Sequence, residues 1–126
     1  MKLVVAYLPP EQLERTVTAL VRIHVHGLTI SNARGFGQEH DQWEPDDHEY
    51  MANDMAKHNR LEVACHDDEL EGILAAISRA ARLEPAHGPG KGKVFVLQLQ
   101  DVIRLKTGER GEQALGGSRA WQIPPP

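Results

Sequence analysis

Two stretches with helical apolar spacing alternate with four short runs of strand character, and that order leaves few ways for the chain to fold. Lys2 to Leu8 is aliphatic and bounded by Pro9-Pro10, which marks a strand. Pro10 suits the first position of a helix. Leu13, Val17, Leu20 and Val21 then fall at i, i+4, i+7 and i+8, one face of a helix that Gly27 is expected to end. Leu28 to Arg34 alternates, with Thr29 and Ser31 set against Leu28 and Ile30. Arg60 to Cys65 alternates again, with Leu61, Val63 and Cys65 on one face and Glu62 and Ala64 on the other. Asp68 and Glu71 have capping-box spacing. Leu70, Ile73, Leu74 and Ile77 make a second helix face, and Val94 to Leu99 is a fourth strand.

The order β-α-β-β-α-β is that of the ferredoxin-like split unit, an α+β fold with both helices on one face of an antiparallel sheet. Its last strand is apolar on both sides, with Val94 and Val96 alternating with Phe95 and Leu97. The face without helices then needs cover, and association through the sheet supplies it. One domain over 1–115 and a tail over 116–126, ending Trp121-Gln122-Ile123-Pro124-Pro125-Pro126, account for all 126 residues.

The single cysteine, Cys65, excludes an intrachain disulfide and a CxxC site, and its place on the apolar face of a strand marks it as core. The apolar start is stopped by Pro9-Pro10 far short of a membrane span or signal sequence, so a cytoplasmic protein without membrane insertion is expected. A net charge of −4 argues against nucleic acid as partner. The charge is divided, however. Residues 1–78 hold 14 acids and 6 Lys/Arg, and residues 79–126 hold 4 acids and 8 Lys/Arg, giving −8 and +4. A small basic region on an acidic protein suits a compact anion such as a nucleotide phosphate.

Two basic clusters lie there. In His87-Gly88-Pro89-Gly90-Lys91-Gly92-Lys93, glycines let backbone N–H groups approach an anion and lysines add charge. The loop opens a strand, not a helix, and lacks the Ser/Thr after Lys of a P-loop. Arg104 and Lys106 are two apart, so in an extended segment both would point to one side, towards phosphate oxygens. No Ser/His/Asp or Cys/His grouping is readable, and an enzyme is not expected.

The order of the loop motifs narrows the reading further. Gly35-Phe36-Gly37 is followed by a 22-residue stretch, then Arg60-Leu61-Glu62-Val63, then Lys93-Val94-Phe95-Val96-Leu97, then Ile103-Arg104-Leu105-Lys106-Thr107-Gly108-Glu109-Arg110-Gly111-Glu112. In this order, over residues 1–115, the chain resembles the nitrogen-regulatory PII signal-transduction proteins. The resemblance implies a homotrimer with ATP or ADP in the clefts between subunits, a T-loop over about 37–59, a B-loop over about 83–93 and a C-loop over about 101–112. It assigns Gly35, Phe36 and Gly37 to the T-loop base beside the nucleotide, and Thr29 and Glu62 to adenosine. Gly90, Gly92 and Lys93 would cradle phosphate, and Arg104 and Lys106 would reach phosphates across the subunit interface. The T-loop would engage a target protein, a membrane transporter being one candidate.

The chain also departs from that family. Lys91 stands where Asp is usual and Lys106 where Arg is preferred, which removes a bidentate fork. Glu39, with Gln38 beside it, replaces the Gln that helps hold Mg²⁺ with 2-oxoglutarate. His58 replaces a Lys, and Met51, next to Tyr50, replaces the modifiable Tyr. Residues 38–49 hold six acids and no Lys or Arg. His40 and His48 stand among them and His58 and His66 follow, so a divalent metal is a second candidate ligand, at His40, His48 and His58. A metal-responsive trimer linked to heavy-metal handling is the alternative reading. His24 and His26 flank a helix end, where a cationic ring complements the helix dipole.

Overall fold

The computed structural model describes residues 1–35, 56–82 and 92–116. Strand β1 (Lys2–Leu8) leads into helix α1 (Pro10–Arg22), then β2 (Thr29–Gly35), β3 (Ala56–Cys65), α2 (Leu70–Arg82) and β4 (Lys93–Gln98). Short 3₁₀ turns at Asp67–Glu69 and Gly111–Leu115 precede α2 and follow β4. The sheet order is β2-β3-β1-β4, with all neighbours antiparallel. This is the expected ferredoxin-like α+β arrangement.

The register shows why the two sheet faces differ. β1 pairs with β3 from Lys2↔Cys65 to Leu8↔Asn59, so Val4 lies opposite Val63 and Ala6 opposite Leu61. Directly opposed residues share a face, so the apolar alternates of both strands meet the helices together. Val4, Ala6, Leu8, Leu61, Val63 and Cys65 are buried there with Leu20 of α1 and Ile73 and Ile77 of α2. Burial pushes the Cys65 thiol above its ordinary pKa, with the nearby Glu69 charge adding to the effect. It stays protonated and packs as an apolar group.

The buried stripe of α1 is Gln12, Thr16 and Leu20, whereas Val21 is exposed and Leu13 and Val17 are half-buried. The apolar spacing therefore pointed a little to one side of the face that packs. Thr16 is tolerated in the interior because its hydroxyl donates to the Gln12 carbonyl at 2.9 Å.

The end of α1 also differs from expectation. The helix stops at Arg22, a turn before Gly27. His24 N–H donates to the Val21 carbonyl at 3.0 Å and Val25 N–H to the Leu20 carbonyl at 3.4 Å. With His24 at φ 62°, these are the two bonds of a Schellman stop. A histidine occupies the left-handed position usually given to glycine. The start of α2 is shifted too. The capping box uses His66 and Glu69, two residues before Asp68 and Glu71, with His66 N–H donating to Glu69 Oε1 at 2.8 Å.

β3 begins at Ala56, four residues before the expected strand, and takes the end of the expected T-loop. Lys57, His58 and Asn59 pair with β2 through Arg34, Ala33 and Asn32, and Asn59 Nδ2 donates to Asn32 Oδ1 at 3.2 Å. Polar side chains on an edge hairpin hide the period of 2 although the backbone pairs fully.

β4 stays uncovered. Val94, Phe95, Val96 and Leu97, from both faces, are 37–49% exposed, because the helices pack over β1 and β3. No described helix is long and apolar enough to cross a membrane.

A left-handed conformation costs a non-glycine residue about 1 kcal/mol. Exposed His24→Gly is therefore expected to raise stability by about that amount, read as a higher urea midpoint at unchanged slope.

Candidate functional site

The open face of the sheet carries a polar and aromatic band. Thr29 lies opposite Glu62, Glu62 opposite Val5, and Val5 opposite Phe95. The adjacent row on the same face is Ser31, Arg60, Tyr7 and Lys93. Arg60 ties the rows together. Its Nε lies 2.7 Å from Glu62 Oε1, its Nη1 donates to the Tyr7 hydroxyl at 3.2 Å, and its guanidinium carbon lies 5.8 Å from the Tyr7 ring centre. Tyr7 meets Phe95 edge-on at 6.0 Å. In the sequence Arg60 stands out only as the start of a strand and as part of the Arg60-Leu61-Glu62-Val63 motif. Strand parity with Glu62 was the signal that would have placed it in the band.

Gly92 is the position where the backbone comes closest. Its φ is +106°, and a Cβ there would lie 2.2 Å from the Tyr7 carbonyl oxygen. Only glycine can enter β4 by this path, and Lys93 follows directly, opposite Tyr7. Gly35 pairs with Ala56 at the far end of the β2–β3 hairpin. Phe36, Gly37 and Gly90 lie outside the described residues, as do Glu39, Met51, 83–91 and 117–126.

After β4 the chain forms a small hairpin. Ile103 bridges Arg110, Arg104 N–H donates to the Glu109 carbonyl at 2.9 Å, and Gly108 N–H donates to the Arg104 carbonyl at 2.7 Å. Asp101 clamps its base. Asp101 Oδ1 accepts from Val102 N–H at 2.8 Å and Gly111 N–H at 3.1 Å, and Oδ2 accepts from Arg110 Nε at 2.9 Å and from Arg110 Nη2. The Arg110 guanidinium and these N–H groups hold the Asp101 carboxyl below its usual pKa. Lys106 is at the tip, in a turn from Leu105 to Thr107. The alternation that would aim it with Arg104 therefore does not apply. Arg104 Nε lies 4.0 Å from Glu109 Oε1, and Leu105 beside it is 94% exposed.

Of the described candidates, Thr29, Glu62 and Lys93 share the open face, on different strands of the sheet. β2 and β4 are opposite edges of the sheet. At the usual strand spacing, Thr29 and Lys93 are about 14 Å apart across it. Glu62 stands between them, already engaged by Arg60.

Of the metal candidates, only His58 is among the described residues. His40 and His48 lie outside the described residues, and His58 sits opposite Ala33 on the β2–β3 hairpin. It lines a shallow cleft with Arg34, Lys57 and Asn59. Among the described residues His58 belongs to no group of three metal-capable side chains. Such a group does form elsewhere, from His26, His66 and Glu69. These residues are 40 positions apart in sequence, and no local spacing connects them. Only His66 and Glu69, at i and i+3, left a trace, and that trace is the one of a cap.

With this geometry in hand, comparison with known proteins is informative. The family described as Nitrogen regulatory protein P-II matches residues 1–109. Nitrogen regulatory protein GlnK of Escherichia coli K12 is 39% identical over 116 residues, covering 91% of this chain and all of that protein. Nitrogen regulatory protein GlnK1 of Methanosarcina mazei is 37% identical over 116 residues, 91% of this chain and 97% of that one. A crystal structure of Arabidopsis thaliana PII bound to citrate matches with a TM-score of 0.68 at 32% identity, over 90% of each chain.

Two outcomes test the local geometry. Gly92→Ala forces a backbone clash and is expected to destabilise the domain by roughly 2–3 kcal/mol, measured by urea unfolding. The depressed pKa of Asp101 means that its contribution is complete above the ordinary value of 3.8 and is lost as pH falls below it. The exchange protection of the Val102 amide, which Asp101 Oδ1 holds, should therefore drop below that pH, and Asp101→Asn should lower protection at neutral pH and remove the acid transition.

Proposed function

We propose, from the premise that this chain belongs to the nitrogen regulatory P-II family, that it is a homotrimeric signalling regulator whose subunits bind ATP or ADP between them. Members of the family are named as nitrogen regulatory proteins, and regulation, not catalysis, is the role assigned here. The observation that carries the reading is the division of the candidate residues. Thr29 and Glu62 lie towards one edge of the open face, and Lys93 lies at the other edge, on the strand that leads into the Arg104 hairpin. A ligand that touches both sets is accommodated where one subunit's β2 edge meets the next subunit's β4 edge. The apolar residues exposed on both faces of β4 support the same association.

In this arrangement Thr29 and Glu62 face the adenosine, with Gly35, Phe36 and Gly37 beside it. Gly90, Gly92 and Lys93 line the phosphates, and Arg104 and Lys106 contact phosphate from the neighbouring subunit. The chemistry is recognition. Backbone N–H groups and cations meet phosphate oxygens, and a carboxylate accepts from the ligand's donors. Arg60 positions Glu62 for this role by holding one of its oxygens. A nucleotide shifts the T-loop ensemble only as far as its affinity differs between loop states, and the shifted loop alters the hold on a target protein. A membrane transporter fits as such a target.

Calorimetry with ATP, ADP and AMP tests the binding, and light scattering tests the assembly. The expected mass is three times 14.0 kDa. Arg104→Ala with Lys106→Ala should weaken ATP at least tenfold, about 1.4 kcal/mol or more, while leaving the trimer intact. No binding at millimolar nucleotide, or an unchanged affinity in the double variant, would overturn the assignment.

A further inference from the structure

His26, His66 and Glu69 converge from separate parts of the chain, and none of them is among the nucleotide-site candidates. His26 follows the Schellman stop of α1, where the left-handed His24 turns the chain back. His66 ends the run out of β3, and Glu69 closes the 3₁₀ turn that opens α2. His26 Nε2 lies 3.0 and 3.2 Å from the two Glu69 carboxylate oxygens. The two imidazoles meet edge-to-face, with ring centres 5.2 Å apart. One donor atom from each of the three residues lies within 4.8 Å of the others. The His26 side chain is 3% exposed, and those of His66 and Glu69 are 15% and 18% exposed.

We infer that these three side chains form a binding site for a borderline divalent cation of the Zn²⁺ class. Two imidazoles and one carboxylate suit Zn²⁺, Cu²⁺ or Ni²⁺, and the absence of any thiolate among the three disfavours soft monovalent ions. Ligands about 2.1 Å from a tetrahedral ion stand about 3.4 Å apart. His26 Nε2 and the Glu69 oxygens, at 3.0 and 3.2 Å, stand close to that spacing, and the third donor atom lies within 4.8 Å of both. The ion takes the place of the direct contact that His26 Nε2 now makes with Glu69. A fourth position can be filled by water or by Glu112, whose Oε1 lies 3.9 Å from His66 Nδ1. Because Glu112 is exposed, it can either swing in as a ligand or accept the Nδ1 proton and orient the ring.

The surroundings give the site a consequence. Gly116 closes over His26, since a Cβ on it would lie 3.6 Å from His26 Cβ and 3.8 Å from Arg104 Nη2. Ala114 of the same turn is buried. An ion held by His26 and His66, and by Glu112 where it joins, therefore fastens the C-terminal turn against the α1–β2 and β3–α2 junctions. That turn follows directly on the Arg104 hairpin. The site is not the His40, His48 and His58 set. His58 lies near the start of β3 and His66 directly follows its end, about 25 Å apart at the rise of an extended strand. The inference also stands apart from the nucleotide reading and is tested without nucleotide.

The experiment uses the full chain, stripped with chelator, dialysed and titrated with Zn²⁺ at pH 7.5 by calorimetry with dye competition. One ion per chain is expected, with a rise in melting temperature and weaker binding as pH falls and protons compete for the imidazoles. His26→Ala and His66→Ala should each weaken binding at least about tenfold, since even the loss of an outer partner costs that much. Glu69→Gln keeps an acceptor for the His66 N–H and removes the charge, so it should fold normally and still lose affinity. In the unaltered protein, Zn²⁺ should shift the ring resonances of His26 and His66 and leave His58 unmoved, a readout that does not depend on any variant folding. Absence of binding to Zn²⁺, Cu²⁺ and Ni²⁺ at 100-fold excess would overturn the site and leave a capping box with an ion pair. Binding unchanged in the three variants, or abolished instead by joint replacement of His40, His48 and His58, would overturn it as well.

Discussion

The pairing of β1 with β3 is the constraint on which the rest of the structure depends. In the register Lys2↔Cys65 to Leu8↔Asn59, every apolar alternate of both strands faces the helices. A slip of one residue would turn Leu61 and Val63 outward and bring Glu62 and Arg60 into the core. The same register places Glu62, Arg60 and Tyr7 together on the open face, where their contacts build the polar band. Core and candidate site are thus two faces of one pairing.

β3 is long enough to serve two neighbours. Ala56 to Glu62 pair with β2 and Asn59 to Cys65 pair with β1, so the middle of the strand is bonded on both sides. The strand carries the pairing with β2 at one end and delivers His66 to the α2 junction at the other. The two sites suggested here, one for a nucleotide and one for a cation, therefore sit at different places along the same rigid element. The hairpin after β4 is of a different kind. It is short, exposed at Leu105, and held at its base by one carboxylate that satisfies two backbone N–H groups and a guanidinium. Backbone bonds close it as well, with Gly111 N–H donating to the Val102 carbonyl at 2.9 Å and Arg104 N–H to the Glu109 carbonyl at 2.9 Å.

The elements that were legible in the sequence are those whose period survives in their residues. β1, β4 and the second half of β3 show it, and so do the two helices, because one face of each is packed and the spacing of apolar residues records it. The misreadings have physical causes. Gly27 suggested a helix stop, yet His24 adopts the left-handed angle, held there by two backbone bonds that no residue type announces. The expected capping box was two residues late, because Asp68-Glu69-Glu71 offers more than one acidic partner and only packing selects Glu69. The first four residues of β3 looked like loop because hairpin pairing is carried by the backbone while Lys57, His58 and Asn59 stay polar. Lys106 was aimed by a strand rule that a turn does not obey.

By itself the sequence determined the order of elements, the faces they bury, the P-II family and the loops in which the nucleotide candidates lie. These are local or linear properties: periodicity, glycine placement and the succession of motifs along the chain. The tertiary structure alone decided that Arg60 braces Glu62 and Tyr7, that Gly92 cannot carry a side chain because it crosses the Tyr7 carbonyl, and that Thr29 and Lys93 occupy opposite edges of one face. It alone brought His26 to His66 and Glu69. The reason is the same in each case. Strand order and register bring together residues tens of positions apart, and no spacing within the chain encodes which will meet.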